Sequence, residues 1–469
     1  MAKKRSVKKI EPKDRIDSIR EEVHSYNRTK SVNEIVRTQP TAVKKTKEFS
    51  AILQQIDRSA DSFFITGRAG TGKTTLLQLL KASTEKNIVV LAPTGVAAVN
   101  IGGSTIHSFF RFPLHFLREE DVRVFRDSKR ILQSLDLLVI DEVSMVRADL
   151  LDAIDHSLRK HRKHPTLPFG GVQIALFGDL FQLPPVIETS LNSIYYSFYD
   201  TPYFFSAQVF QNTNLKTFEL QQVFRQSDRN FIALLDRIRN NEITDEDIEI
   251  LNSRVLHTHT IQEDEPYITL TSTNALAASV NRYRLQQLPG KELSYHATTE
   301  GDFPQQSYPT DENLVLKEGA QVMFLKNDST KRWVNGTLGA VKKVTSRGIE
   351  VTVGAETYEV EPSTWERIVY SFDEEEKKIV PAVVGTFRQY PLTLAWAITI
   401  HKSQGKTFDR VVIDFGHGMF AHGQAYVALS RCRTFDGIFL KSPLRVQDII
   451  VDERVVNFLQ STLIHQLEY

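Results

Sequence analysis

Cysteine is almost missing: Cys432 is the single one in 469 residues. Within one chain that excludes both a disulfide framework and a cysteine-based zinc site, and it suits a reducing interior. Long apolar runs are missing as well. No stretch approaches the roughly 18 residues a membrane-spanning helix needs. The basic start Met1-Ala2-Lys3-Lys4-Arg5 is not followed by the apolar region of a secretory signal. Excess charge of one sign is lacking too, with 58 Lys+Arg against 57 Asp+Glu. A uniformly basic coat for nucleic acid is thereby excluded, but residues 1–47 hold 14 Lys+Arg and 6 Asp+Glu. That segment reads as a basic arm, either a solvated tail or a holder of phosphates.

What is present is an alternation of short apolar runs and helical stretches. Phe63–Thr66, Ile88–Leu91, Leu137–Ile140 and Val172–Phe177 read as buried strands. Thr74–Ser83 and Asp149–Lys160 read as helices between them. This is the rhythm of a parallel sheet covered on both faces. A second set follows, with strands at Tyr267–Thr271, Leu392–Ala395 and Arg410–Asp414 and helices at Leu276–Gln287 and Gly423–Ser430. Between about 325 and 388, β-branched runs are broken by Asn335-Gly336, Arg347-Gly348 and Val353-Gly354. That texture predicts a small antiparallel β unit inserted into the second α/β domain.

Gly67-Arg68-Ala69-Gly70-Thr71-Gly72-Lys73-Thr74 fits G-x-x-x-x-G-K-[ST], after an apolar strand and before a helix. Glycines let the backbone N–H groups from Gly67, Ala69, Gly70, Thr71 and Gly72 curl around phosphates, and the helix start at Lys73, Thr74 and Thr75 adds partial positive charge. Lys73 would reach the β- and γ-phosphates, and Thr74 would ligate Mg²⁺. Leu137–Ile140 ends in Asp141 and Glu142. Asp141 would hold Mg²⁺, and Glu142 would orient and deprotonate the attacking water. Arg225 and Arg431 could neutralise the departing phosphate. Both lie far downstream, so using them would require the two α/β domains to close on ATP. No Asn-Lys-x-Asp guanine motif is present, which argues against a GTPase switch.

The surroundings of these residues resemble the Pif-type DNA helicases, superfamily 1B enzymes moving 5′ to 3′, from about Phe49 to Leu440. The segments are Ala92–Ala98 with Gly103–Phe110, Ile140–Met145, Gly178–Val186, Val223–Gln226, Thr399–Thr407 and Tyr426–Arg431. Their order and spacing make the set more specific than any member. The resemblance implies two RecA-like parallel-sheet motor domains, 48–214 and 215–324 with 389–469. It also implies a small β-barrel inserted at 325–388 and a short wedge insertion at about 111–126.

It implies ATP and Mg²⁺ as cofactors, Gln182 as a sensor of the γ-phosphate, and Gln404 and Gly405 beside the nucleotide. Thr94, Gly95, Thr105, His107, Phe109, Asn335, His401, Lys402 and Ser403 would line the single strand. The implied substrates are single-stranded DNA and 5′-tailed or forked duplex, in DNA repair, replication or recombination, with G-quadruplexes left open. The implied working unit is a monomer without a membrane partner. A translocase that strips proteins from single strands, or an ATP-gated binding module, are the alternatives. The chain lacks the long N-terminal region of many eukaryotic relatives, which points to bacterial or phage-infected cytoplasm, with nucleus or mitochondrion open.

Two positions depart from the family. Ser50 stands where a glutamine often reads adenine, with Gln54 and Gln55 one turn on, and Leu180 stands where an aromatic residue is common. Elsewhere, a mixture of hydroxyls, cations and aromatic faces suits a base-tolerant grip on a strand. Phe109, Phe110 and Phe112 could stack or wedge, although one of the first two should be core. His107 and His401 should be neutral near pH 7. Arg159–His164 reads as a solvated basic helix end, with DNA as the alternative. His257 and His259 lack supporting ligands, so no metal is assigned there. Cys432 reads as a small buried residue.

Overall fold

The computed structural model describes residues 46–213, 215–256, 266–416 and 421–462. Residues 1–45 of the basic arm, His257 and His259 lie outside them. Six strands make the first sheet: β1 (Ser62–Gly67), β2 (Ile88–Ala92), β3 (Ser104–Thr105), β4 (Leu137–Ile140), β5 (Gln173–Phe177) and β6 (Leu215–Leu220). All pairings are parallel, in the order β3-β2-β4-β5-β1-β6.

Alternate residues of these strands face opposite ways, so one strand feeds two cores. Phe63 and Ile65 join Phe49, Ile52 and Leu53 of helix Lys47–Arg58 and Leu76, Leu77 and Leu80 of helix Lys73–Ser83. Phe64, Leu138 and Ile140 face the other way, onto Leu151, Ile154 and Leu158 of helix Ala148–Arg162. Each such fully buried Leu, Ile or Phe contributes about 1.5–3 kcal/mol. The sheet therefore holds its strand ends in rigid register, and the functional loops leave from those ends.

The expected first domain ended at 214, whereas β6 pairs with β1 along its whole length, Ser62↔Leu215 to Gly67↔Leu220. A second parallel sheet contains β7 (Ile268–Thr271), β18 (Ala397–Thr399), β19 (Val411–Asp414) and β20 (Ile438–Leu440), in the order β18-β7-β19-β20. The expected strand Leu392–Ala395 is not part of it. Leu392–Leu394 is β17, antiparallel to β11 (Gln321–Phe324). The parallel strand starts at Ala397, because the chain changes sheets across Ala395 and Trp396.

The remaining strands are β8 (Leu293–His296), β9 (Thr298–Gly301), β10 (Asn313–Leu316), β12 (Leu338–Thr345), β13 (Gly348–Val353), β14 (Glu356–Val360), β15 (Ser363–Asp373) and β16 (Lys378–Gln389). They form β14-β13-β12-β11-β17, β15-β16-β9 and β10-β8. This antiparallel structure runs from Leu293 to Leu394, wider than the expected 325–388, and β14 and β17 are the outer strands of its largest sheet. Phe324, Trp333, Val341, Ile349 and Val351 form its own core. The 111–126 segment is anchored by buried Phe112, Phe116, Leu117 and Val122, with Leu114 exposed between them.

The basic helix end 159–164 is only partly a solvated face: Lys160, Lys163 and His164 are exposed, while His161 and Arg162 turn inward. Arg162 donates to the carbonyls of Gly170, Gln133 and Leu135 at 2.8–3.0 Å, and His161 is buried. With Leu132 O, four carbonyls accept from this one guanidinium, which draws it inward along its aliphatic stem. No helix among the described residues is long and apolar enough to cross a membrane.

Candidate nucleotide site and nucleic-acid face

β1 ends in a loop that only glycine permits. Gly67, Gly70 and Gly72 have φ of +145°, +85° and +87°. A Cβ on Gly70 would also stand 2.5 Å from the Cβ of Arg225. Gly72 caps helix Lys73–Ser83 without a side-chain bond, so the first-turn N–H groups are left for an anion. Lys73 Nζ donates to the carbonyls of Gly67 at 2.6 Å and Arg68 at 3.1 Å. Burial holds its pKa below the usual lysine value, while Asp179 and Glu142 pull the other way. Thr71 Oγ1 donates to Arg68 O at 2.9 Å, and the Ala69 N–H donates to Tyr426 Oη at 2.9 Å. Thr74 is exposed at the helix start, with Thr75 beside it.

Asp141 and Glu142 follow β4 at the same edge. Burial first, then the charge of Glu142, pushes the Asp141 carboxyl up to about 7. Glu142 has φ +51°, a left-handed conformation that costs a non-glycine residue on the order of 1–3 kcal/mol. Its carboxyl is raised by burial against the pull of Lys73 and Arg431. A hydroxyl, one carboxylate and phosphate oxygens are the hard ligands Mg²⁺ takes, with water completing the shell. Thr74 and Asp141 fit that requirement. No cluster of three His, Cys, Asp or Glu competes for a metal among the described residues.

Across from these stand two arginines, Arg225 half-buried and Arg431 buried. Arg225 Nη1 donates to Ser430 O at 3.3 Å. Arg431, 1% exposed, donates to Val427 O and Ser430 Oγ at 2.8 Å each. Burial lowers Arg225 to about 10, and burial with the charge of Arg225 lowers Arg431 to about 9. Among the described residues neither has a carboxylate in an ion pair. Buried Gln182 donates through Nε2 to Asp179 at 3.2 Å and accepts from Gln404 Nε2 at 3.4 Å. Gly405 follows in an open left-handed turn, φ +75°. The expected nucleotide residues of both parallel-sheet lobes are thus brought together.

Asp179, Tyr426 and Arg239 belong to the same cluster and had no expected role. Asp179 and Tyr426 sit inside the family-like segments, but Arg239 lies in an ordinary amphipathic helix pattern and carried no motif signal. Ser50 is exposed on helix Lys47–Arg58. Next to it in sequence, Phe49 packs near the exposed ring of Phe224, centroids 6.5 Å apart. A Cβ on Gly72 would lie 3.0 Å from Phe49 and 3.6 Å from Phe224. The exposed Phe224 ring, tilted 57° to buried Phe49, therefore borders the phosphate loop. The Leu180 carbonyl accepts from His422 Nε2 at 2.8 Å, so this departure leaves the backbone contact in place.

The residues expected to line the strand repeat one local device. Thr94, Thr105 and Thr399 each cap a helix, accepting from Ala97 N, Ser108 N and Lys402 N at 3.2–3.3 Å. The hydroxyl oxygen is used as acceptor, which leaves its hydrogen for a phosphate oxygen. His401 and Lys402 are exposed and Ser403 is buried, its hydroxyl on Ile400 O at 2.7 Å. Burial lowers the pKa of half-buried His107, which is therefore neutral at pH 7. Phe110 and Phe112 are core, stacked at 5.2 Å, while Phe109 is half-buried against Tyr370.

Asn335 accepts from Lys406 Nζ at 2.8 Å. The β insertion lies over part of this face. A Cβ on Gly95 would meet Ser307 Oγ at 2.3 Å, and Arg367 Nη2 donates to Ser108 Oγ at 3.0 Å. Tyr370 Oη accepts from Val90 N at 3.0 Å and donates to Val90 O at 3.2 Å.

A glycine loop at a strand-to-helix turn, two carboxylates at another strand end of the same sheet, and two arginines, Arg225 after β6 and Arg431 from the second lobe, define a two-lobed P-loop nucleotide-binding protein. Comparison with known proteins makes this specific. A model of the PIF1-like helicase family matches residues 42–249. The chain is 33% identical to "ATP-dependent DNA helicase Pif1" of Bdellovibrio bacteriovorus, over 86% of this chain and 88% of that protein. It is 34% identical to "ATP-dependent DNA helicase PIF1" of Xenopus laevis, over 89% of this chain but 63% of that one. The chain belongs to the PIF1-like helicase family.

Unliganded Pif1 from Bacteroides sp. superposes with a TM-score of 0.84 at 39% identity, covering 91% of this chain and 98% of that one. Bacteroides Pif1 bound to ssDNA has the same 39% identity and a TM-score of 0.64, with coverage of 89% and 97%. Bacteroides Pif1 in complex with ADP-AlF4 also reaches a TM-score of 0.84 at 39% identity, so the lower score goes with bound DNA and not with bound nucleotide.

Proposed function

We propose that the chain is an ATP-dependent DNA helicase that moves 5′ to 3′ on single-stranded DNA, opens tailed or forked duplex, and serves DNA repair, replication or recombination. The observation that carries this reading is the pair of half-buried Arg225 and buried Arg431, each held by a carbonyl and, among the described residues, without a carboxylate in an ion pair, opposite the phosphate loop. Unpaired buried cations are costly. A γ-phosphate would complete them, and because Arg431 comes from the second lobe, ATP would draw the two lobes together. In this scheme the lobes are the motor domains and the antiparallel strands their insertion.

Lys73 neutralises the β- and γ-phosphates, Gln182 senses the γ-phosphate, and Glu142 orients the attacking water and takes its proton. Mg²⁺, held by Thr74 and Asp141, would supply charge neutralisation at the phosphates. Thr94, Thr105, Thr399 and their neighbours grip the strand backbone. The match to a bacterial relative supports a bacterial cytoplasmic setting, which tagging the protein in its source cell would check.

The test is direct. With ATP and Mg²⁺ the purified protein should open a duplex with a 5′ single-stranded tail and leave a 3′-tailed one closed. Lys73→Ala should lower ATP turnover by about a hundredfold or more while single-strand binding stays within about threefold. Equal opening of both tails would sink the polarity, and turnover persisting in Lys73→Ala would sink the site assignment.

A further inference from the structure

Helix Arg229–Asn240 follows the Arg225 loop, and no side chain of it enters the scheme above. Two of its residues nonetheless grip two different loops of the nucleotide site. Asp236 pairs with Arg68 of the phosphate loop at 2.6 Å. Arg239 lies three residues on, hence on the same helix face. It is 6% exposed. Its Nη1 donates to Glu219 Oε1 on β6 at 3.0 Å, and its Nη2 stands 3.5 Å from Asp179 Oδ1. The guanidinium covers the Phe181 ring at 4.4 Å.

Asp179 is the hinge of the arrangement. Its Oδ1 accepts from Phe181 N at 3.3 Å and its Oδ2 from Gln182 Nε2 at 3.2 Å. Gln182 Oε1 in turn accepts from Gln404 Nε2 at 3.4 Å. One line of polar contacts therefore runs Glu219, Arg239, Asp179, Gln182, Gln404, from the edge of the first sheet to the second lobe. The line is incomplete at Arg239, because Nε and Nη2 are buried and make no hydrogen bond. A purely structural filler beside Phe181 would avoid two unsatisfied donors, since an apolar side chain of that volume is often no less stable than a buried ion pair. Unused donors next to a carboxylate suit a group that bonds Asp179 more closely when the Gln182 loop shifts.

We propose that Arg239 is a positioning residue for ATP hydrolysis. It holds Asp179, which aims the Gln182 amide, and it thereby passes the state of the γ-phosphate to helix Arg229–Asn240. The proposal rests on the reading of Gln182 as the γ-phosphate sensor.

The experiment is a double-mutant cycle on DNA-stimulated ATP turnover with Arg239→Met, Gln182→Ala and the pair, with Tm measured for each. Arg239→Met should lower kcat about tenfold with KM for ATP within about threefold. Adding it to Gln182→Ala should cost no more than about a further twofold, because a residue acting through Gln182 has nothing left to aim. A fall in kcat of less than about twofold, or single effects that multiply in the pair, would overturn the proposal. Should Arg239→Met not fold, Arg239→Lys keeps the charge but cannot span Glu219 and Asp179, and the same non-additivity is required of it. A readout without turnover separates this from the site assignment itself. Arg239→Met should weaken binding of ADP with aluminium fluoride and leave ADP binding unchanged. Equal loss of both overturns the role of Arg239, whereas a wild-type chain that binds neither nucleotide overturns the reading of the phosphate loop.

Discussion

Asp141 shows how burial and neighbours set a functional charge. A carboxyl raised to about 7 by burial and by Glu142 keeps its proton in the free protein at mildly acidic pH. Mg²⁺ needs the ionised form, so binding expels that proton. Affinity for Mg²⁺ with ADP should then rise with pH up to about 7 and level off above it, with a proton released on binding below that point, as titration calorimetry in buffers of different ionisation heat would show. The stability sign is the opposite. A carboxyl whose folded value lies above its unfolded value of about 3.9 contributes stability that is fully present below about 3.9 and lost as pH rises through about 7. The metal-free protein should therefore lose this contribution between those limits, and Mg²⁺ should restore stability above pH 7. A flat Mg²⁺ affinity from pH 5.5 to 8 would show that Asp141 is not the metal ligand.

At the scale of elements, the β15–β16 hairpin is the part whose placement matters most. β3 has two residues and pairs with β2 only at Leu91 and Ala92. β3 is too short to meet the N–H of Val90, and the Tyr370 hydroxyl bonds both that N–H and the Val90 C=O. One side chain thus substitutes for a missing strand residue. Tyr370→Phe removes two hydrogen bonds, together about 1–3 kcal/mol. Because this hairpin and the Ser307 turn lie over Gly95 and Ser108, loosening it should raise affinity for single-stranded DNA by about fivefold or more. Fluorescence anisotropy with a labelled oligonucleotide would measure this beside wild type. Unchanged affinity with lowered Tm would mean that the hairpin only buttresses the sheet.

For the whole molecule, the consequence is that strand binding and the present arrangement of the insertion compete. Glu374 at the hairpin tip pairs with Arg130 of the first lobe. Cysteines at these two exposed positions, joined by a short bismaleimide, should hold the insertion in place. The joined protein should bind single-stranded DNA at least about tenfold more weakly than the same variant left unjoined, while nucleotide binding is kept. Cys432 is fully buried and its thiol is pushed up to about 11, so it stays out of the reaction. Equal DNA binding with and without the bridge would show that the strand reaches its path without moving the insertion.

What was legible in the chain alone is whatever depends on short-range pattern. The strand–loop–helix around Gly67–Thr74 could be read because φ-positive glycines, an apolar strand and a helix start must be contiguous to cradle phosphate. Leu137–Ile140 could be read because a strand buried on both faces is apolar throughout. The partnership of Arg225 and Arg431 came from family-like segments, not from spacing. Tertiary structure alone decided the rest. β17 and β18 are adjacent three-residue strands, and only hydrogen-bond partners tell which sheet each joins. Within Arg159–His164 the inward turn of Arg162 was hidden because most of the carbonyls that draw it in lie far away in sequence. Arg239 had no signal at all, since a buried arginine on an amphipathic helix resembles an exposed one until Asp179, Glu219 and Phe181 close around it. Local chemistry is written in neighbouring residues. Which distant loops share a charge is settled only when long-range packing removes them from water.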